Sequence, residues 1–296
     1  MHKPVLLNEV LKIFNPQPGE IYIDATINGG GHARAIAERM GEKGLVFGID
    51  WDCELIKELG IRNKELGITN IKLECGNYAD LRDIIRKHNL DAPGGILFDL
   101  GFSSHQLEES GRGFSFLKSE PLDMRYDAKL NELTAEKIVN TWDGAAIEDI
   151  LRRYGEERFA NRIAEGIERA RHLARIQSTT ELVTVISRSV HPKYRHGRIH
   201  FATRTFQALR IAVNHELENL EKVLPIARDI IKTGGKIAII SFHSLEDRIV
   251  KEFFRQESKT GTLGILTPKP IQASLEEIRE NPRARSAKLR VVEKKL

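Results

Sequence analysis

Four short apolar runs punctuate the first hundred residues: Ile21 to Ala25, Leu45 to Asp50, Ile71 to Cys75 and Gly94 to Gly101. Each has the length of a strand buried on both faces, the form that parallel sheets require. The segments between them can be helices. After three glycines, Ala33, Ile36, Ala37 and Met40 recur at i, i+3, i+4 and i+7, one helical face, and Gly41 with Gly44 supplies its stop. Such β-α-β alternation predicts an open parallel sheet wound by right-handed crossovers.

From about Gly111 to about Ile199 the rhythm changes to helical patterns alone, around Ala135 to Trp142, Ala145 to Tyr154, Arg158 to Ala174 and Thr179 to Val190. A long helix from about Ala202 follows, which Pro225 is expected to kink or split. The strand pattern resumes at Gly234 to Ser244, a helix covers LEDRIVKEFF, and Lys288 to Lys294 reads as a last strand. One α/β domain, residues 1–110 and 209–296, is therefore expected to be interrupted by a helical insertion, residues 111–208.

Composition narrows the class. No run of about 18 apolar residues occurs, so no membrane span is expected. The N-terminus lacks the basic, apolar and small-residue succession of a signal peptide, which makes the cytoplasm the expected compartment. Cys53 and Cys75 are the only cysteines and match no zinc-ligand spacing, so neither a disulfide framework nor a metal site is expected. A net charge of +4 permits a polyanionic partner without requiring one. Its distribution says more. Eleven arginines and lysines between Arg158 and Arg210 outnumber Glu165, Glu168 and Glu181, and Tyr194 lies among His191, His196 and His200 in VHPKYRHGRIHF. Basic, aromatic-bearing segments of this kind suit irregular or single-stranded RNA.

The turn Thr26 to His32, TINGGGH, would lie beyond the carboxyl ends of the strands, where open α/β sheets bind ligands. Asn28 is among the few non-glycine residues that tolerate a left-handed backbone. Asp50 ends the second strand about 20 residues after the glycines, where an acid takes the ribose of a bound adenosine. The G-x-G-x-x-G of dinucleotide enzymes cannot be laid on NGGGHAR in register. S-adenosylmethionine is then the favoured ligand, with a nicotinamide-dependent oxidoreductase as the alternative.

Further blocks sharpen the choice: HKPVLLNEV, DATINGGGH, GID, DLGFSSHQL, RGFSF, PLDMR, ATRTFQALRIAVN, SFHSLEDR and NPRARSAKLR, in that order. Together they resemble the RsmH (MraW) family, S-adenosylmethionine-dependent methyltransferases that modify N4 of a cytidine in the decoding centre of 16S ribosomal RNA. The resemblance spans essentially the whole chain. It implies a Rossmann-like class I methyltransferase sheet with an inserted all-helical domain that recognises RNA, within the small ribosomal subunit. It also implies that Gly29, Gly30, Gly31 and His32 line the cofactor turn, Asp50 takes the ribose, Tyr78 flanks the adenine, and Asp99 and Gln106 complete the site. Three positions depart from the family pattern: Asn28 for glycine, Phe201 for proline and Ala284 for serine.

An exocyclic cytosine amine is a poor nucleophile, because its lone pair is delocalised into the ring. Asp99, at the end of the fourth strand, is the carboxylate expected to accept its N–H, and His243, after the fifth strand, is the second catalytic candidate. Asp99 as a cofactor contact alone, and the whole chain as a non-catalytic ribosome-binding factor, are the competing readings. Oligomeric state leaves no mark in the sequence.

Overall fold

In the computed structural model, which describes residues 4–101, 107, 110–129, 131–197 and 199–295, the apolar runs pair side by side. They form β1 (Ile21–Asp24), β2 (Leu45–Asp50), β3 (Ile71–Cys75), β4 (Gly95–Asp99), β5 (Lys236–Ser241) and β7 (Lys288–Lys294), with a short β6 (Leu263–Ile265) at one edge. Among the described residues the strand order is β3-β2-β1-β4-β5-β7-β6. The strands from β3 to β5 pair in parallel, and β7 runs antiparallel to both of its neighbours. This is the Rossmann-like class I arrangement that the resemblance implies, and its order reverses between β1 and β4.

Strand side chains alternate between two cores. Tyr22, Val46, Leu97, Ala238, Ile240 and Val291 face α1 (Leu7–Phe14), α2 (Gly31–Met40) and α3 (Cys53–Glu65). Ile23, Phe47, Ile96, Phe98, Ile237 and Ile239 face α4 (Leu81–His88), α11 (Glu216–Ile230) and α12 (Ser244–Lys259). Burial on both faces is why these strands read as continuous apolar runs.

The chain forms two compact units, Met1–Phe102 with Leu217–Leu296, and Ser103–Glu216. The second boundary thus falls beyond residue 208, because that position lies inside α10 (Thr203–Asn214), where Ala208, Leu209 and Ile211 are buried. The rest of this unit comprises α5 (Ala135–Thr141), α6 (Gly144–Arg153), α7 (Ala160–Leu173), α8 (Thr179–Ser189) and a short α9 (Pro192–Arg195). Thr134, Asp143 and Ser178 cap α5, α6 and α8 by accepting backbone N–H groups.

Two expectations need correction. The break near Pro225 falls instead at His215, whose φ of 51° ends α10; α11 continues through Pro225. Its buried face, Leu220, Val223, Leu224 and Ala227, holds the helix in place, and the only helical bond that Pro225 cannot make is the one to the carbonyl of Glu221, an exposed residue. Cys53 and Cys75 form a disulfide, with Cα atoms 5.1 Å apart. Their separation of 22 residues hides a neighbourhood made by pairing: Asp50 of β2 lies opposite Cys75 of β3, and Cys53 follows three residues after Asp50.

Gly48 shows how tightly the cofactor turn packs. A Cβ there would meet Cδ1 of Ile27 at 2.1 Å, so the glycine lets the turn residue cross β2. Gly48→Ala is expected to destabilise the protein by about 1–3 kcal/mol, as overpacked cores do. A thermal melt measures this; an unchanged midpoint would show that Ile27 yields freely.

Candidate active site

The site begins where β1, β2 and β4 end. Ile27 N–H donates to Ile49 O (2.8 Å), and Gly30 N–H returns to Ile27 O (2.8 Å), closing the turn before α2. Asn28 and Gly30 have φ of 48° and 73°, so both residues take the left-handed backbone that the turn needs. Asn28 ties three strands together. Its N–H donates to Asp50 Oδ2 (2.9 Å), and its side-chain amide donates to Thr26 O (3.0 Å) and Asp99 O (3.4 Å). Thr26 Oγ1 accepts from Asp99 N–H (2.6 Å).

Asp50, at the end of β2, is buried and accepts from Asn28 N–H through Oδ2 and from Asp52 N–H through Oδ1 (3.0 Å). Trp51 N–H is a third backbone donor to it, and the carboxylate, with about four lone-pair sites, has room for one further donor, as a ribose hydroxyl would supply. Tyr78 is buried against the edge of Phe98, with ring centroids 5.9 Å apart, and Trp51 lies 5.4 Å from Tyr78. The glycines divide their tasks. Gly29 and Gly30 carbonyls accept from the Arg34 guanidinium, whereas a Cβ on Gly31 would press on Pro4 at 3.0 Å. Gly31 therefore serves close packing beneath the turn.

Asp99 ends β4 with Oδ1 buried and without a hydrogen-bond partner among the described residues. Its Oδ2 lies 3.6 Å from Nδ1 of buried His32, whose Nε2 is 2.9 Å from Val5 O. A carbonyl only accepts, so Nε2 carries a proton, and Nδ1 is the ring nitrogen that faces Asp99. Burial, and then the charges of Asp24 and Glu246, push the Asp99 carboxyl well above the ordinary range. Asp24 is raised to about 7, chiefly by burial and further by Asp50. Burial likewise raises Asp50 to about 6, against the backbone N–H groups that favour its charged form.

His243 follows β5, the strand next to β4, and caps α12. Its Nδ1 accepts from Glu246 N–H (3.4 Å), while Glu246 Oε2 accepts from Phe242 N–H (2.8 Å) and His243 N–H (3.3 Å). With Nδ1 an acceptor, the ring proton sits on Nε2, 3.1 Å from Glu246 Oε1 but not aligned for a hydrogen bond. His243 is thus built as a donor and a helix cap. Gln106 lies outside the described residues.

Asp24, Trp51 and Glu246 adjoin these residues; Asp24 and Glu246 fall inside the blocks DATINGGGH and SFHSLEDR, without a role that the sequence alone assigns them. Asp24 precedes the glycine turn, Trp51 follows Asp50, and Glu246 lies three residues after His243.

In the helical unit, the basic residues separate into two groups. Arg210 forks onto buried Glu216 at 2.8 and 2.9 Å, and Arg204 donates to Glu156 O (2.6 Å). Arg171 donates to Val139 and Trp142 carbonyls, which makes it a structural tie. The Tyr194 hydroxyl donates to Glu157 (2.9 Å) and its ring packs on Phe159, while His200 stacks on Phe116 with centroids 4.5 Å apart. Arg158, Arg162, Arg188, Lys193, Arg195 and His196 stay exposed.

Comparison with known proteins decides the class. The model of the MraW methylase family matches residues 1–295. The chain belongs to that family. A ribosomal RNA small subunit methyltransferase H from Pelobacter propionicus is 46% identical over 309 residues, covering 99% of this chain and 98% of its own length. Proteins of the same name from Coprothermobacter proteolyticus and Fervidobacterium nodosum are 45% and 46% identical, each over 99% of this chain and 96% and 97% of their own lengths. The crystal structure of PH0851 shares the fold alone: TM-score 0.50, 14% identity, covering 99% of this chain and 47% of that one.

As a member of this methylase family the protein is an enzyme that uses S-adenosylmethionine, and the nicotinamide and scaffold alternatives fall away. The residues present fit that cofactor. The orphaned Asp99 Oδ1 and the buried Asp24 offer acceptors and negative charge to a cationic sulfonium, and Asp50 offers acceptors to a ribose.

A pH dependence follows. The folded carboxyls of Asp24 and Asp50 are raised above the unfolded value, so their contribution to stability is complete below about pH 4 and is lost as pH rises through 6 to 7. Over that window the free protein should lose melting temperature from these groups while its affinity for S-adenosylmethionine rises. A single group with a midpoint near 6 predicts a roughly fourfold gain between pH 5.5 and 7.5. Calorimetric titration at both values tests it, and a flat or falling affinity contradicts the assignment.

Proposed function

We propose that the protein methylates the exocyclic N4 of a cytidine in the decoding centre of 16S ribosomal RNA, within the small subunit and hence in the cytoplasm. The names of the relatives support the small-subunit RNA as substrate. The observation that carries the chemistry is the buried, unpartnered Oδ1 of Asp99 at the carboxyl end of β4, beside the glycine turn. S-adenosylmethionine supplies an electrophilic methyl group on its sulfonium.

Asp99 accepts an N4–H and aligns the nitrogen lone pair, which is where catalysis is needed most. Orientation of this kind lowers barriers by on the order of 7–11 kcal/mol in favourable cases. The N4 ammonium that forms is strongly acidic and gives its proton to water, so Asp99 acts by position and charge. Asp50 holds the ribose, Tyr78 with Trp51 borders the adenine, and the N-terminus of α2 faces the methionine carboxylate. His243 keeps Glu246 and the end of β5 in place.

Exposed Arg158, Arg162, Arg188, Lys193 and Arg195 grip RNA phosphates, and a target cytidine is turned out of its stack at a cost of about a few kcal/mol. The test is incorporation of labelled methyl into unmodified small subunits and, in parallel, into their deproteinised RNA. Labelling of subunits supports the reading; labelling of neither removes the RNA substrate.

A further inference from the structure

At the β6 edge of the sheet, a hollow of about 230 Å³ is lined by Lys251 and Arg255 of α12, Thr267 and Pro268 beyond β6, and Arg290 of β7, against the ring of Phe254. Its charged lining is all cationic. Lys251 and Arg255 are one helical turn apart, a spacing at which like charges oppose each other. Neither forms an ion pair or hydrogen bond among the described residues.

Arg290 adds the second observation. It is only 8% exposed, and Nε donates to Asp247 Oδ1 at 2.6 Å. Its two terminal nitrogens meet no acceptor among the described residues. A guanidinium has five donors, and the terminal ones of Arg290, which are not buried, are open to water or to an anion in the hollow. Asp247 cannot neutralise the group of cations, because it also binds Lys288 Nζ at 3.1 Å.

The strand order fixes where the hollow lies relative to the chemistry. Asp99 ends β4, and β5, β7 and β6 follow outward from it, while Asp50 and Tyr78 lie on the other side, by β2 and β3. At about 4.8 Å per strand interval, the hollow is displaced sideways from β4 by roughly 10–15 Å, and it lies on the Phe254 face of the sheet, whereas Asp99 lies beside His32 on the other. β5 and β6 both run antiparallel to β7, so the segment after β6 emerges at the same edge of the sheet as Asp99.

We infer that the hollow is a phosphate-binding subsite for the RNA substrate, in which Lys251, Arg255 and Arg290 hold a backbone phosphate beyond the target nucleotide. This rests on the reading of ribosomal RNA as substrate. A phosphodiester brings one negative charge and two non-bridging oxygens. The planar fork of Arg290 suits those oxygens, and Lys251 and Arg255 add point charge. The subsite reads no base, so it fixes register without selecting sequence.

The test compares the wild type with a Lys251→Ala/Arg255→Ala double variant and a Lys251→Glu/Arg255→Glu double variant, on unmodified small subunits between 50 and 200 mM KCl. Arg290 is left intact because of its tie to Asp247. For the alanine variant, kcat and the Kd for S-adenosylmethionine should match the wild type. Its KM should rise roughly three- to tenfold, and the log–log salt dependence should flatten by about 0.7, the slope expected per phosphate contact on a single strand. The glutamate variant should raise KM further. If the wild type shows a salt-dependent KM and both variants match it, the subsite is overturned while the substrate reading stands. If the wild type methylates neither subunits nor their RNA, both fall.

Discussion

Asp99→Leu should lower kcat by about 10²–10³-fold at saturating cofactor, the loss seen when a preorganised polar group at a reacting centre is removed. The substitution deletes both carboxylate oxygens and keeps the branched shape, with larger methyl groups in their place. It also removes a buried carboxyl whose ionisation the surroundings oppose, so the melting temperature should hold or rise. Single-turnover methyl transfer, with cofactor affinity measured separately, distinguishes the two roles of this residue. A fall in kcat with little change in cofactor Kd supports positioning of the amine. Weaker cofactor binding with unchanged kcat would make Asp99 a cofactor contact alone.

Asp50→Ala should weaken S-adenosylmethionine binding by about 1–3 kcal/mol, the penalty for deleting one partner of a buried polar contact. In affinity this is roughly 5- to 150-fold. Asp50 also accepts from Asn28 and Asp52 N–H groups, so part of the loss comes through the turn. Asp50→Asn separates the two contributions, since its amide oxygen can keep one of those backbone donors. Unchanged affinity in the alanine variant would refute the ribose assignment.

The parallel strands were legible because burial on both faces leaves uninterrupted apolar runs, as in LVFGID and GILFD. β6 was not, since three residues with a central glycine carry no period. The helix break at His215 was hidden because a left-handed histidine has no sequence signature, whereas Pro225, which does, is tolerated inside α11. Asp50 and the glycine turn stood out by spacing. The raised carboxyls of Asp24 and Asp99 did not, because only the fold gathers Asp24, Asp50, Asp99 and Glu246 into one low-dielectric region. The disulfide has the same origin in strand pairing.

Charge in the helical unit illustrates the limit of counting. Arg171, Arg204 and Arg210 add to the basic total in sequence, yet each is committed to a carbonyl or to Glu216. The charge left exposed without a carbonyl or buried partner is therefore smaller than the composition implies and includes Arg158, Arg162, Arg188, Lys193 and Arg195. Tyr194 serves the fold by joining α9 to Glu157.

The most direct test of the central claim is nucleoside mass spectrometry of ribosomal RNA from unmodified small subunits incubated with the protein and isotopically labelled S-adenosylmethionine. Labelled N4-methylcytidine, mapped to the decoding centre, is the predicted product. Label in any other nucleoside, or none in the RNA, would contradict the account.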